Sequence, residues 1–248
     1  MANLDGQVAI VTGAARGIGS AIATRLAADG ARVVINYSTS AKPAEQTVEA
    51  ITKAGGKAVA IQADVSDAGA IGKLFDAAEK AFGPVTILVN NAGVYEERLL
   101  EKADQAHFDK LFHANVLGPL LATAEFARRF KGKAGRVVNI SSGGARGALP
   151  GAGVYCASKA AVEGLTRVHA LELGSKGITV NSVAPGVTET EMLKQGLPEE
   201  IKKHMIGNTI LGRLGQPDDI ADVVAFFCSH DARWITGQFI DASGGLRV

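Results

Sequence analysis

The sequence predicts an α/β chain, a doubly wound parallel sheet with helices on both faces. Three observations predict it. Short apolar runs recur along the chain, among them VVI at 33–35, ILV at 87–89, VVNI at 137–140 and ITVNSV at 178–183. They are continuous rather than alternating, as in strands buried on both faces. Longer amphipathic stretches separate them, and parallel strands need such crossover helices. The 248 residues suit one domain, and no internal repeat or low-complexity linker divides them.

The elements follow in order. Residues 7–12 read as the first strand and 17–28 as the helix after it, closed near Gly30. The second strand is 32–36, and its helix, 43–54, ends at Gly55-Gly56. The third strand is 58–62, followed by a helix over 67–82. Residues 85–89 form the fourth strand, 104–130 a long helix and 136–140 the fifth strand. A second long helix spans 154–173, the sixth strand 179–183, a helix 218–228 and a last short strand 238–241. Strands are assigned where apolar, β-branched residues cluster, and helices where apolar residues recur at helical spacing.

Composition excludes several functions. The 26 Lys and Arg nearly balance the 25 Asp and Glu, and no block of like charges suggests a nucleic-acid arm. Thirteen aromatics are too scattered for a base-stacking platform. No stretch approaches the ~18 apolar residues of a membrane span. The run 8–11 is too short for the core of a signal peptide. The two cysteines, Cys156 and Cys228, cannot make a disulfide framework; they read as packing residues, and the cytosol is the expected location. The five histidines show no metal-ligand spacing, so no catalytic metal is expected. The 30 glycines far exceed the usual share without a collagen-like period.

Several of those glycines fall at one turn. Thr12-Gly13-Ala14-Ala15-Arg16-Gly17-Ile18-Gly19 joins the first strand to the first helix. Gly13 permits the tight turn, Gly17 a close backbone approach to a pyrophosphate, and Gly19 close packing of helix on sheet. The helix N-terminus then offers free N–H groups to phosphates. The spacing is G-x-x-x-G-x-G, which departs from the G-x-G-x-x-G dinucleotide fingerprint. An NAD site would carry an acidic residue after the second strand. Here Asn36, Tyr37, Ser38, Thr39 and Ser40 follow, with Arg16 nearby. Hydroxyls, an amide and a guanidinium suit a 2′-phosphate, so NADP(H) is the expected cofactor, preferred over NAD(H).

Further motifs stand in order: Asn90-Asn91-Ala92-Gly93, Tyr155-Cys156-Ala157-Ser158-Lys159 and Pro185-Gly186, with Ser142 thirteen residues before Tyr155. With them the chain resembles the short-chain dehydrogenase/reductase family over residues 6–245. It looks most like the family's NADP-dependent ketoreductases, which include 3-oxoacyl-carrier-protein, hydroxynaphthalene and sugar reductases. The resemblance implies a single-domain Rossmann fold over residues 1–248, with a seven-stranded parallel sheet between two helical layers. It implies that Asp64 and Val65 bracket an adenine, and that Asn91, Ala92 and Gly93 lie along the cofactor. Pro185, Gly186, Val187, Thr188 and Thr190 would line the nicotinamide side.

Carbonyl reduction needs a hydride donor, a proton donor and a group that holds the developing alkoxide. Tyr155 and Lys159 are four apart on a predicted helix, hence on one face. A nearby ammonium favours the tyrosinate, so Lys159 together with an oxidised nicotinamide ring, in a site with restricted water, is expected to lower the Tyr155 pKa. Tyr155 reads as the general acid for reduction and its phenolate as the base for oxidation. Lys159 would also hold the nicotinamide ribose, as in the family. The Ser142 hydroxyl is placed to bind the substrate oxygen, with Ser141 as its competitor. Asn115 matches the fourth family position; Asn is a poor interior helix residue. There the resemblance implies a backbone distortion that seats a water of the proton relay.

The expected substrate walls are 95–100, 143–154 and 187–214, the last a lid spanning about 188–214 that includes Met192, Leu193, Leu197, Met205 and Ile210. The expected activity is reversible NADPH-dependent reduction of a ketone, with no nucleic-acid or membrane partner. A homotetramer is expected, through the long helices and through Trp234, Phe239 and Ile240. Two other readings remain: an NAD(P)-dependent sugar or polyol dehydrogenase, and a non-catalytic dinucleotide-binding protein.

Overall fold

The computed structural model describes residues 3–190 and 199–246. Among the described residues, seven strands form one parallel sheet in the order β3-β2-β1-β4-β5-β6-β7. They are β1 (Val8–Val11), β2 (Arg32–Tyr37), β3 (Lys57–Gln62), β4 (Ile87–Asn90), β5 (Gly135–Ile140), β6 (Ile178–Pro185) and β7 (Phe239–Ala242). The helices are α1 (Gly17–Ala28), α2 (Ala41–Lys53), α3 (Ala68–Phe82), α4 (Gln105–Phe112), α5 (Gly118–Arg129), α6 (Gly153–Leu173), α7 (Glu199–Gly207) and α8 (Pro217–Cys228). None of them is long and apolar enough to cross a membrane.

The continuous apolar strands are explained by two cores, one on each face. Ala9 and Val11 of β1, with Ile87 and Val89 of β4, pack with Ile22 and Leu26 of α1 and Ile220 and Val224 of α8. Val8 and Ile10, with Leu88, pack instead with Ile71, Leu74 and Phe75 of α3 and Phe126 of α5. Successive side chains leave opposite faces of a strand, so β1, buried on both faces, carries an apolar residue at every position. A fully buried side chain of this kind stabilises by about 1.5–3 kcal/mol.

β1 pairs with β2 on one side and β4 on the other, in parallel register. The connections wind outward in opposite directions from this point. A crevice therefore opens beyond the carboxyl ends of β1 and β4, where open α/β sheets bind ligands.

Two elements differ in extent from expectation, and at Asn115 the difference is the backbone distortion that the resemblance implied. The predicted helix over 104–130 is interrupted by a π turn, His113–Leu117, between α4 and α5. Its cause is Asn115, whose side chain is buried and bonded outside the helix, as described below. α2 starts at Ala41 rather than at 43. Pro43 is tolerated there because first-turn N–H groups have no helical partner anyway. In the expected lid, Met192, Leu193 and Leu197 lie outside the described residues. The lid's two ends are joined at its base: Glu189 N donates to Gly215 O at 2.8 Å and Gly215 N to Val187 O at 3.0 Å.

Candidate active site

The crevice is a cleft of about 760 Å³. All of the predicted site residues line it except Asn115 and Val187. Gly13, Arg16, Gly17, Ile18 and Gly19 come from the first turn; Asn36, Tyr37 and Ser38 from the end of β2; and Asp64 and Val65 follow β3. Asn91, Ala92 and Gly93 follow β4, Ser142 follows β5, and Pro185, Gly186, Thr188 and Thr190 follow or end β6. Tyr155 and Lys159 reach in from α6. Val187 instead uses its carbonyl to hold Gly215.

The first turn is built to leave N–H groups free. Asp67 caps α3 and Asp104 caps α4 through side-chain carboxylates, but α1 begins after Arg16 with no side-chain cap. Its first N–H groups and positive dipole end therefore suit an anion. Gly13 and Gly17 have φ of 61° and 58°, a left-handed backbone that side chains disfavour. A side chain at Gly19 would collide with Asn91 Nδ2 and Gly13 O. Asn91 Nδ2 donates to Thr12 O at 2.9 Å and Gly13 O at 3.1 Å. Thr12 Oγ1 in turn accepts from the N–H groups of Asn91 and Ala92, both at 3.0 Å. Thr12 thus locks the β4 end to the turn, a role that sequence reasoning missed although it opens the motif.

Asn36 lines the cleft with its amide engaged by neighbouring backbone. It is buried, and its amide is committed: Oδ1 accepts from Gly13 N at 3.3 Å, and Nδ2 donates to Ala63 O at 3.1 Å. Its amide braces the turn. Arg16, Tyr37, Ser38, Thr39 and Ser40 remain as the lining there, with no carboxylate on β2. The Asp64 carboxylate accepts from Ser66 N at 2.9 Å and Ser66 Oγ at 2.7 Å, which holds its pKa below the ordinary range. It therefore also anchors the loop before α3.

At the other end, Asn115 stands behind the lining, fully buried. Its Oδ1 accepts from Val94 N at 2.7 Å, and Nδ2 donates to Val94 O at 2.9 Å and Ser158 Oγ at 3.0 Å. These bonds join the π turn to the β4 loop and to α6. Gly93 lies against both Asn115 and Lys159: a Cβ there would be 3.0 Å from Asn115 Oδ1 and 3.3 Å from Lys159 Nζ. Ser158, beside Lys159 in its motif, is a second residue that sequence reasoning passed over.

Ser141 and Ser142 separate cleanly. Ser141 is buried and its hydroxyl donates to Lys159 O at 3.3 Å. Ser142 faces the cleft, accepts from Gly144 N at 3.1 Å and hydrogen-bonds Tyr155. Tyr95 packs edge-on against Tyr155, ring centroids 5.1 Å apart.

Lys159 is buried; Nζ donates to Ile140 O at 2.9 Å, and burial pushes its pKa down to about 8. Burial pushes the Tyr155 pKa up, opposed by the Ser142 hydrogen bond. The ammonium is turned to Ile140 and stands 5.9 Å from the centre of the tyrosine ring. Tyr155 therefore holds its proton at neutral pH, as a proton donor must.

The family model described as enoyl-(acyl carrier protein) reductase matches residues 13–247. The chain is 48% identical over 249 residues to an uncharacterized oxidoreductase of Methylorubrum extorquens, covering all of both chains. It is 42% identical to an NADPH-dependent aldehyde reductase-like protein, chloroplastic, of Arabidopsis thaliana, over 98% of this chain and 94% of that one. Among solved structures it is similar to the angucycline C-6 ketoreductase LanV with bound NADP. There the TM-score is 0.92 at 39% identity, over 99% of this chain and 97% of that one. With the sheet order, the uncapped glycine turn and the Ser142, Tyr155 and Lys159 cluster, these likenesses make the chain an oxidoreductase of the short-chain dehydrogenase/reductase family.

Proposed function

We propose that the protein is an NADP-dependent carbonyl reductase that converts a ketone to a secondary alcohol, reversibly. The observation that carries this reading is one cleft holding the uncapped α1 N-terminus at one end and Ser142, Tyr155 and Lys159 at the other. The lining fits the cofactor: free N–H groups for the pyrophosphate, and hydroxyls with Arg16 but no β2 carboxylate for a 2′-phosphate. The NADPH-dependent relative and the NADP-bound ketoreductase support the same preference. When bound, the cofactor supplies the hydride.

The chain's own residues do the rest. Ser142 holds the carbonyl oxygen by its hydroxyl. Tyr155 donates its proton to that oxygen as negative charge develops, which is general acid catalysis. Lys159 presents its charge to the ribose side and, next to Asn115, links Tyr155 to a proton path. Asn115 fixes the π turn and the Val94 backbone. Asp64 and Val65 bracket the adenine, Asn91, Ala92 and Gly93 follow the cofactor, and residues 185–190 shield the nicotinamide. The segment 188–214 acts as the substrate lid.

Exposed Leu171 and Val168 on α6, with Trp234 and Ile240 near β7, support assembly as a homotetramer. Steady-state rates with NADPH and NADH test the reading, on a panel of aryl ketones, steroids, sugars, acyl thioesters and enoyl thioesters. Ketone-dependent NADPH consumption is expected. A strong preference for NADH, or turnover of enoyl thioesters alone, would overturn it.

A further inference from the structure

Glu163 stands one turn beyond Lys159 on α6, in the row that carries Tyr155 and Lys159. It is only 6% exposed, and a carboxylate is almost never so buried without partners. It does not line the cleft but a separate cavity of about 300 Å³. Both oxygens are used: Oε1 shares the Ser141 hydroxyl proton with Lys159 O, each at 3.3 Å, and Oε2 accepts from Arg146 Nε at 3.2 Å.

Those two partners have a particular place in the chain. Ser141 and Arg146 flank the short 3-10 turn Gly143–Ala145, of which Ser142 is the N-cap. One carboxylate on α6 therefore holds both ends of the turn that carries Ser142. The same helix carries Tyr155. Arg146 is held from its other side by Phe239 of β7, with the guanidinium carbon 3.5 Å from the ring centre. Ser141 is held by Lys159 O. The turn's own bonds, among them Ala145 N to Ser142 O at 2.9 Å and Gly147 N to Gly143 O at 3.1 Å, are local, and the Glu163 carboxylate ties the turn to α6.

We infer that Glu163 is a positioning residue for the reaction: through Ser141 and Arg146 it sets Ser142 against Tyr155. This rests on the role proposed for Ser142. A misplacement of about 1 Å at a reacting group can cost about 100-fold in rate. Glu163 does not itself line the cleft, so its replacement is expected to leave NADPH binding little changed.

The test is a double-mutant cycle between Glu163→Ala and Ser142→Ala, read as kcat and as NADPH Kd by fluorescence titration. Glu163→Ala is expected to lower kcat by about 10- to 100-fold, with NADPH Kd within about twofold. On the Ser142→Ala background the same change is expected to cost less than about threefold, because the group it positions is gone. Glu163→Gln keeps the buried volume and one acceptor. It is carried through the same cycle in case Glu163→Ala does not fold. It is expected to lose about three- to tenfold, again only when Ser142 is present. Equal losses on both backgrounds, or unchanged kcat in the Glu163 variants, would overturn the inference. Ser142→Ala alone reports on the underlying reading: full turnover there removes Ser142 from the chemistry and Glu163 with it.

Discussion

Lys159 has the least comfortable position of any residue in the site. Its ammonium is buried and its pKa falls to about 8, against about 10.4 in an unfolded chain. Between those values the unfolded chain binds more protons, so this group makes stability rise with pH across that window. Below about pH 8 its burial costs on the order of 3 kcal/mol. Lys159→Met should therefore gain stability relative to wild type at pH 7, and the difference should shrink by about 2–3 kcal/mol at pH 10. Urea unfolding of both proteins at the two pH values measures it; a difference that ignores pH would contradict the buried charge. The same variant should lose nearly all turnover, so the cost of the buried ammonium is tied to function. Ser141 and Ser142 illustrate the opposite case: neighbours of one type divide because one hydroxyl is buried among protein partners and the other faces the cleft.

At the scale of elements, the contrast among helix starts is the informative feature. α3 has Asp67 accepting from Gly69 N and Ala70 N, whereas α1 leaves its first turn open to the cleft. Asp67→Ala should lower stability by about 1 kcal/mol and leave kcat unchanged, checked by thermal unfolding and rate together. Gly19→Ala should do more, because its Cβ meets Gly13 O and Asn91 Nδ2. A loss of about 1–3 kcal/mol with NADPH affinity at least about tenfold weaker is expected, by calorimetry and titration. The strands, their order of appearance and the glycine turn were legible in sequence because they depend on local composition and spacing. The π turn was not. Asn115 disrupts the helix through bonds to Val94, twenty-one residues away. The bracing contacts of Asn36 were hidden for the same reason: its partners, Gly13 and Ala63, come beside it only once β1, β2 and β3 are paired. The direction of the Lys159 ammonium was likewise hidden, since a four-residue spacing fixes a shared face but not where an ammonium turns.

For the whole molecule, the sheet order places the cleft where the connections diverge, and the chemistry follows from what each strand end brings there. Apolar surface remains outside: Trp234 is 96% exposed and Leu171 is 84% exposed. A homotetramer would cover such residues. Light scattering at micromolar concentration should give about four subunit masses, with blue-shifted emission from the lone tryptophan; a single-subunit mass would contradict it. In the proposed reaction Tyr155 delivers the proton. Turnover and NADPH binding of Tyr155→Phe are compared with wild type on a ketone the wild type reduces. Unchanged NADPH affinity is expected, with kcat lower by at least about 100-fold; near wild-type turnover by the phenylalanine variant would remove Tyr155 as the proton donor.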